Sequence, residues 1–168
     1  MSGVPEAHRA SAGQSPVLCA IITCSDTRTE ADDRSGARMR QLLEEAGHEI
    51  VFYKITKEDP GDVLVQLHEA AKTAQVILLN GGTGVSVRDS TPEAVLAFVD
   101  KQLPGFGELF RVLSYQDIGA AAMLSRAIAG TRDKVAVFAS PGSTAAVELA
   151  MRKLILPELR HIVGLLRP

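Results

Sequence analysis

The stretch that most constrains this chain is an apolar run that stops at glycines and restarts as a helix. Val76, Ile77, Leu78 and Leu79 lead into Asn80-Gly81-Gly82-Thr83-Gly84, a polar turn through Asp89, and then Ser90-Thr91-Pro92-Glu93. The first part reads as a buried strand, and the Ser/Thr, Pro and Glu as a helix entry. Val17 to Cys24 is a second nearly unbroken apolar run, as expected of a central parallel strand covered by helices on both faces. Strands followed in this way by helices predict an open α/β fold with a mostly parallel sheet.

The remaining segments fit that plan. Ser25 to Gly36 is a polar loop with four acidic residues, followed by a helix that places Met39, Leu42, Leu43 and Ala46 on one face and ends at Gly47. His48 to Ile55 predicts a second strand, and Asp62 to Thr73 a second helix buried along Val63, Leu67, Ala70, Ala71 and Ala74. A helix is expected over Thr91 to Gln102, and Phe106, Leu109, Phe110 and Leu113 recur at helical spacing, with the aromatics read as core and not as a cofactor box. Thr131-Arg132-Asp133 between two apolar runs predicts a hairpin, and hence one antiparallel strand. Ser140-Pro141-Gly142-Ser143 ends a further strand and begins a helix, and a last helix runs from Pro157 to about Leu166.

A length of 168 residues allows one well-buried core and is short for two. Met1 to Pro16 is rich in Ser, Ala, Gly and Pro, so a flexible arm is expected over residues 1–16 and a single α/β domain over 17–168. The net charge of −2 argues against bulk electrostatic affinity for nucleic acid, and no apolar stretch is long enough to span a membrane. Cys19 and Cys24 on one strand would lie about 16 Å apart, beyond the roughly 7 Å a disulfide tolerates. Free thiols and no signal-peptide pattern make the cytoplasm the expected compartment.

Two readings fit the glycines: a plain strand-ending turn, and a cradle whose N–H groups approach a phosphate. The letters match neither a Walker loop nor a dinucleotide fingerprint, since no Lys follows Gly84 and Val87 stands where the fingerprint needs Gly. Asp89 supplies a carboxylate that could serve Mg²⁺. The four histidines, His8, His48, His68 and His161, show no metal-ligand spacing, and no nucleophile motif for covalent catalysis is present. Three loops expected at the carboxyl ends of strands remain: Ser25 to Gly36, Asn80 to Asp89 and Ser140 to Ser143. Together they suit a phosphorylated ligand with Mg²⁺.

Ser25-Asp26, Asp33-Arg34-Ser35-Gly36, Asn80-Gly81-Gly82-Thr83-Gly84, Arg88-Asp89-Ser90-Thr91-Pro92-Glu93-Ala94, Pro104-Gly105-Phe106-Gly107-Glu108, Leu124-Ser125-Arg126-Ala127 and Pro141-Gly142-Ser143, in this order, resemble the MoaB/Mog family of molybdenum cofactor biosynthesis proteins. The resemblance runs from about Val17 to the end. It implies a three-layer α/β/α sandwich, assembly as a homo-trimer or homo-hexamer, and binding of molybdopterin. In active members it implies Mg²⁺- and ATP-dependent adenylylation of the pterin phosphate with release of pyrophosphate. Carried onto this chain, it implies that Gly81, Gly82, Thr83 and Gly84 cradle nucleotide phosphate, and that Asp89 serves Mg²⁺ or the reacting phosphates as a catalytic residue together with Asp26. Asp33, Ser35 and Gly36 would line one wall, and Pro141, Gly142 and Ser143 the other. Glu108 and Arg126 read as a structural ion pair or support.

One segment departs from the adenylyltransferase branch, which carries a Pro-Asp pair where this chain has Thr56-Lys57-Glu58; the change is shared with the MoaB side of the family. Lysine cannot bind Mg²⁺. Alternation along an extended backbone would turn Glu58 away from the site and return Asp59 to it. An adenylyltransferase and a non-catalytic molybdopterin-binding or carrier protein therefore both fit the sequence.

Overall fold

The computed structural model describes residues 15–167, so the arm expected over 1–16 lies outside the described residues except for Ser15 and Pro16. In chain order the elements are β1 (Leu18–Cys24), α1 (Arg34–Glu45), β2 (Glu49–Thr56), α2 (Pro60–Ala71), β3 (Val76–Asn80), α3 (Thr91–Phe98), β4 (Lys101–Gln102), α4 (Pro104–Ile118), β5 (Ile128–Arg132), β6 (Val135–Ser140), α5 (Thr144–Ala150) and α6 (Leu156–Leu166). A 3-10 turn, Gly119–Leu124, follows α4, and a π turn, Met151–Ile155, joins α5 to α6.

The six strands form one sheet in the order β2-β1-β3-β6-β5-β4. β2, β1, β3 and β6 are parallel, while β5 runs antiparallel to both β6 and β4. Period-two alternation divides each central strand between two cores. Cys19 and Ile21 of β1, Val76 and Leu78 of β3, and Phe138 of β6 pack with Met39 and Leu43 of α1, Phe110 of α4, Val147 of α5 and Leu159 of α6. Ala20, Ile22, Ile77, Leu79 and Val137 face the other way, against Val63 and Leu67 of α2 and Val95 and Phe98 of α3. Helices thus cover both faces of a mostly parallel sheet, the three-layer α/β/α arrangement. None of the described helices is long and apolar enough to cross a membrane.

Two details differ from the sequence expectation. The helix expected over Thr91 to Gln102 ends at Phe98, because Lys101 and Gln102 pair with Thr131 and Gly130 as an edge strand. Thr131 and Arg132 continue β5 rather than turning, and the turn is Asp133-Lys134, with Asp133 in the left-handed region at φ 49°. Leu109, which shares the helical spacing of Phe106 and Phe110, is 54% exposed, whereas the two aromatics are buried as expected. The chain from α5 to α6 also runs on without a break. Pro157 has no N–H and its ring crowds the carbonyl four residues back, and the π turn just before it accommodates this, with Leu156 N–H bonding Met151 O.

The chain leaves β1 toward β2 on one side, and β3 then enters on the other side of β1. Strand order therefore reverses between β1 and β3, and a crevice opens at their carboxyl ends. The neighbour of β3 is β6, so the loops after β1, β3 and β6 lie side by side at this edge.

Cys19 and Cys24 are both unpaired, with relative exposures of 0% and 1%, and burial pushes both thiols up to about 12. Neither is expected to react with a thiol reagent such as DTNB in the native protein at pH 8, and both should react in denaturant; native-state labelling of either would contradict this packing.

Candidate functional site

Thr23, Asn80 and Ser140 stand in register across the ends of β1, β3 and β6. All three lie on the face covered by α1 and α5, and all are buried. Above this polar row, Asp33 caps the N-terminus of α1. Its side chain has no solvent exposure, and its oxygens accept hydrogen bonds from Thr23 Oγ1 at 2.6 Å, Tyr53 OH at 2.5 Å and Gly36 N–H at 3.0 Å. Burial opposes ionisation of Asp33, but these donors, with the Ser35 hydroxyl, outweigh it and hold the carboxyl below the usual carboxylate range. Burial and the bond to Asp33 push the Tyr53 phenol well up. Asn80 Nδ2 donates to Thr23 Oγ1 at 2.8 Å, and the Ser35 hydroxyl lies 2.9 Å from Asn80 Oδ1. Asp33, Ser35 and Gly36 thus form the foundation of the wall. A side chain at Gly36 would collide with the Asp33 carboxylate and meet Tyr53 OH at 2.8 Å.

The glycine loop closes over the strand ends by direct backbone contact. Gly81 (φ 94°) lies against the Cys24 carbonyl, and Gly82 (φ 64°) against Thr91 Oγ1 at the start of α3. The Gly81 N–H is used by Ser140 O at 3.1 Å, so it extends the sheet and is no free donor. Among the described residues, the N–H groups of Gly82, Thr83 and Gly84 have no hydrogen-bond partner, and neither have those of Gly142 and Ser143. Two buried hydroxyls here, Thr83 Oγ1 and Ser140 Oγ, are also unpartnered. Pro141, Gly142 and Ser143 form the turn after β6: a Cβ on Gly142 would come within 3.0 Å of Gly81 Cα, and Ser143 caps α5. Arg126 holds the outer half of the glycine loop. Its guanidinium donates to Gly84 O and Asp89 O, each at 2.7 Å, and pairs with Glu93, while its own N–H bonds Thr83 O. Arg126 is therefore a support as expected, although its partner is Glu93 and not Glu108.

An acidic rim begins beside Gly84. Asp89 Oδ2 accepts from Ser86 N–H at 2.8 Å and lies beside Gly84, where a Cβ would meet it at 2.8 Å. Asp26, with 27% of its side chain exposed, pairs with Arg88 at 2.5 Å and accepts from Glu58 N–H at 3.2 Å. Glu58 is the third member. Burial first, then the Asp26 and Asp89 carboxylates, raise its pKa, against Arg88 and Arg28.

This placement corrects the alternation argument. β2 ends at Thr56 and the chain bends at Glu58, which lies close to the Asp26 and Asp89 carboxylates. Asp59 is committed to the N-cap of α2, accepting from Gly61 and Asp62 N–H. Lys57 is exposed and makes no ion pair among the described residues. The Glu58 backbone is also tied in, since its carbonyl accepts from Ser90 Oγ at 3.1 Å.

Among the described residues no three His, Cys, Asp or Glu side chains form a ready metal cage. Asp89 with Asp26 or Glu58 nevertheless fits Mg²⁺, which usually takes one or two carboxylates and draws its other ligands from phosphate and water. Tyr53 and Glu58, which sequence reasoning passed over or turned away, carry no motif. Arg28 had one signal, a cation in an acidic run that otherwise holds only Arg34 of that sign.

The pattern described as a probable molybdopterin binding domain matches residues 20–161. Molybdenum cofactor biosynthesis protein B of Halalkalibacterium halodurans is 53% identical over 161 residues, spanning 94% of this chain and 94% of that protein. A crystal structure of molybdenum cofactor biosynthesis protein B is similar with a TM-score of 0.89 at 51% identity, covering 92% of this chain and 98% of the other. The crystal structure of tungsten cofactor synthesizing protein MoaB from Pyrococcus furiosus has a TM-score of 0.84 at 37% identity, covering 93% and 100% respectively.

Two stability predictions rest on this network. The depressed Asp33 carboxyl contributes stability that is present above the ordinary Asp range and lost as pH falls through its folded value. Asp33→Asn should therefore cost about 2 kcal/mol in urea unfolding at neutral pH, with the difference shrinking in acid; a pH-independent cost would show that the charge is not what matters. Glu58 has the opposite sign, because folding disfavours its ionised form and the penalty builds from the ordinary Glu range upward, reaching its full size above the raised pKa. Glu58→Gln should melt higher than wild type at neutral pH and together with it in acid. Equal melting at both pH values would contradict the crowding of the three carboxylates.

Proposed function

The chain belongs to the molybdopterin-binding-domain family of molybdenum cofactor biosynthesis proteins, and from that premise we propose that it adenylylates molybdopterin with ATP. In this reading a terminal phosphate oxygen of the pterin attacks the α-phosphorus of ATP. The bond to the β-phosphate breaks and pyrophosphate leaves, carrying the charge. The observation that carries the reading is one loop that brings both kinds of group together: unpaired N–H groups of Gly82, Thr83 and Gly84, with the Asp89 carboxylate against Gly84 and the Asp26 and Glu58 carboxylates near Asp89.

The N–H groups would bind and orient phosphate oxygens, with Gly142 and Ser143 N–H at the opposite wall. Asp33 acts only through neighbours, fixing Ser35 and the start of α1. Arg126 and Glu93 hold the glycine loop in the conformation that presents its donors. Mg²⁺, when bound, would be held by Asp89 with Asp26 or Glu58, and would neutralise the crowded phosphates. Glu58 supports turnover as well as binding, because it supplies an acidic group beside Asp89 where Lys57 does not. The alternative is a non-catalytic molybdopterin-binding or carrier protein, which would use the donors and leave the rim idle. We also place the reaction in the cytoplasm, where free thiols persist. Assembly as a trimer or hexamer is supported by the exposed Leu109, Val112, Tyr115 and Ile118 along α4.

Incubation of the purified protein with molybdopterin, Mg²⁺ and ATP should yield adenylylated pterin and pyrophosphate. Pterin binding without product would leave the carrier reading in its place. Asp89→Asn should lower turnover by about 100-fold while changing stability by no more than about 1 kcal/mol; undiminished turnover would make Asp89 a bystander.

A further inference from the structure

The crevice contains one cation that neither the motifs nor the reaction above employ. Arg28, in the loop after β1, is anchored at its backbone by Ser25, whose hydroxyl accepts from the N–H groups of Thr27 at 3.3 Å and Arg28 at 3.2 Å. Its side chain crosses the crevice toward the loop after β6. Nη1 donates to Ser35 Oγ at 2.5 Å and Nη2 to Gly142 O at 3.0 Å. Asp33 Oδ1 is 3.7 Å away, too far for a hydrogen bond but close enough to hold the charge. Gly142 in turn lies against Gly81, so the guanidinium lies where the three loops meet.

Two of its five N–H groups are committed in this way, and the side chain keeps 33% of its exposure. The other two basic residues near the rim differ from it. Arg88 is 67% exposed and spent on Asp26, and Lys57 is exposed with no ion pair among the described residues. A guanidinium fixed at both ends, with N–H groups left over and next to unpaired backbone donors, is pre-organised for an oxyanion. The planar fork matches two phosphate oxygens at once, which an ammonium cannot do.

We propose that Arg28 grips a phosphate of the bound ligand, forming with the Gly82 to Gly84 N–H groups the two jaws of a phosphate clamp. The proposal rests on the reading that the glycine loop cradles phosphate, and it adds the residue that supplies the charge. Ser35 and the Gly142 carbonyl are the positioning groups of that guanidinium. The same contact would join the β1 and β6 loops more firmly once the phosphate is in place.

Calorimetric titration of the full chain with MgATP, with inorganic pyrophosphate and with adenosine tests this. Arg28→Gln should weaken ATP and pyrophosphate alike by about 10- to 100-fold and leave adenosine unchanged. Arg28→Lys, which keeps the charge and loses the fork, should fall between Gln and wild type; it also serves if the Gln variant does not fold. Wild-type affinity for ATP and pyrophosphate in both variants would overturn the role of Arg28 alone. A loss confined to ATP, with pyrophosphate unaffected, would assign Arg28 to the nucleoside and also overturn it. Failure of the wild-type protein to bind either phosphate compound would instead sink the phosphate reading of the glycine loop, and the clamp with it.

Discussion

The buried Asp33 carboxylate is the contact on which the geometry of the crevice depends. An ionised carboxylate without solvent exposure is costly unless its lone pairs are filled. Here the donors come from different elements: Thr23 from β1, Tyr53 from β2, and Gly36 N–H and Ser35 from the first turn of α1. The positive end of α1 adds to them. Because each donor must reach the same two oxygens, the carboxylate fixes β1, β2 and α1 relative to one another. Ser35 then has one place to be, and through it Arg28 and the Gly142 carbonyl are placed as well. A change at the base of α1 would thus be felt at the loop after β6, which is distant in sequence.

The second constraint is steric. Gly81, Gly82 and Gly142 lie where backbone meets backbone or a short side chain: the Cys24 carbonyl, the Thr91 hydroxyl and the Gly81 Cα. The strand-ending turn and the phosphate cradle are therefore not rival accounts of these glycines. Gly81 is required by the turn, since its φ is positive and its N–H is consumed by Ser140. Gly82 is open to both, with a φ that disfavours any side chain and an N–H left free. Thr83 and Gly84 carry the remaining donors, and Arg126 holds them from behind.

Much of this was legible in the sequence, because the signals were local. The unbroken apolar runs of β1 and β3 identified central strands, and the glycine and Pro-Gly turns identified the loops at their carboxyl ends. What was not legible depended on partners remote in sequence. α3 stops at Phe98 because Lys101 and Gln102 find β5, which no local pattern announces. Alternation turns Glu58 the wrong way because it is carried past Thr56, where β2 ends, across a bend. Asp59 was already taken by α2, as its position before Pro60 and Gly61 could have suggested. Asp33 was read as lining the site, whereas burial makes it the support of those that do. Tyr53 looked like any residue of a half-buried strand until its hydroxyl met Asp33.

The charge pattern of the crevice separates binding from chemistry. In the proposed reading the free N–H groups and Arg28 attract phosphate, and these alone would be enough for a protein that only holds a phosphorylated pterin. The carboxylates of Asp26, Glu58 and Asp89 oppose it, and burial first, with the Asp26 and Asp89 charges beside it, raises the proton affinity of Glu58. A carrier would be more stable and would bind phosphate more tightly with neutral side chains at that rim. Three acidic groups facing a phosphate cradle are useful only when a cation joins them to the phosphates, which is the arrangement that phosphoryl and nucleotidyl transfer requires. On the proposed reading, the half-buried Glu58 carboxyl beside Asp26 and Asp89 has a use in turnover that storage alone would not give it.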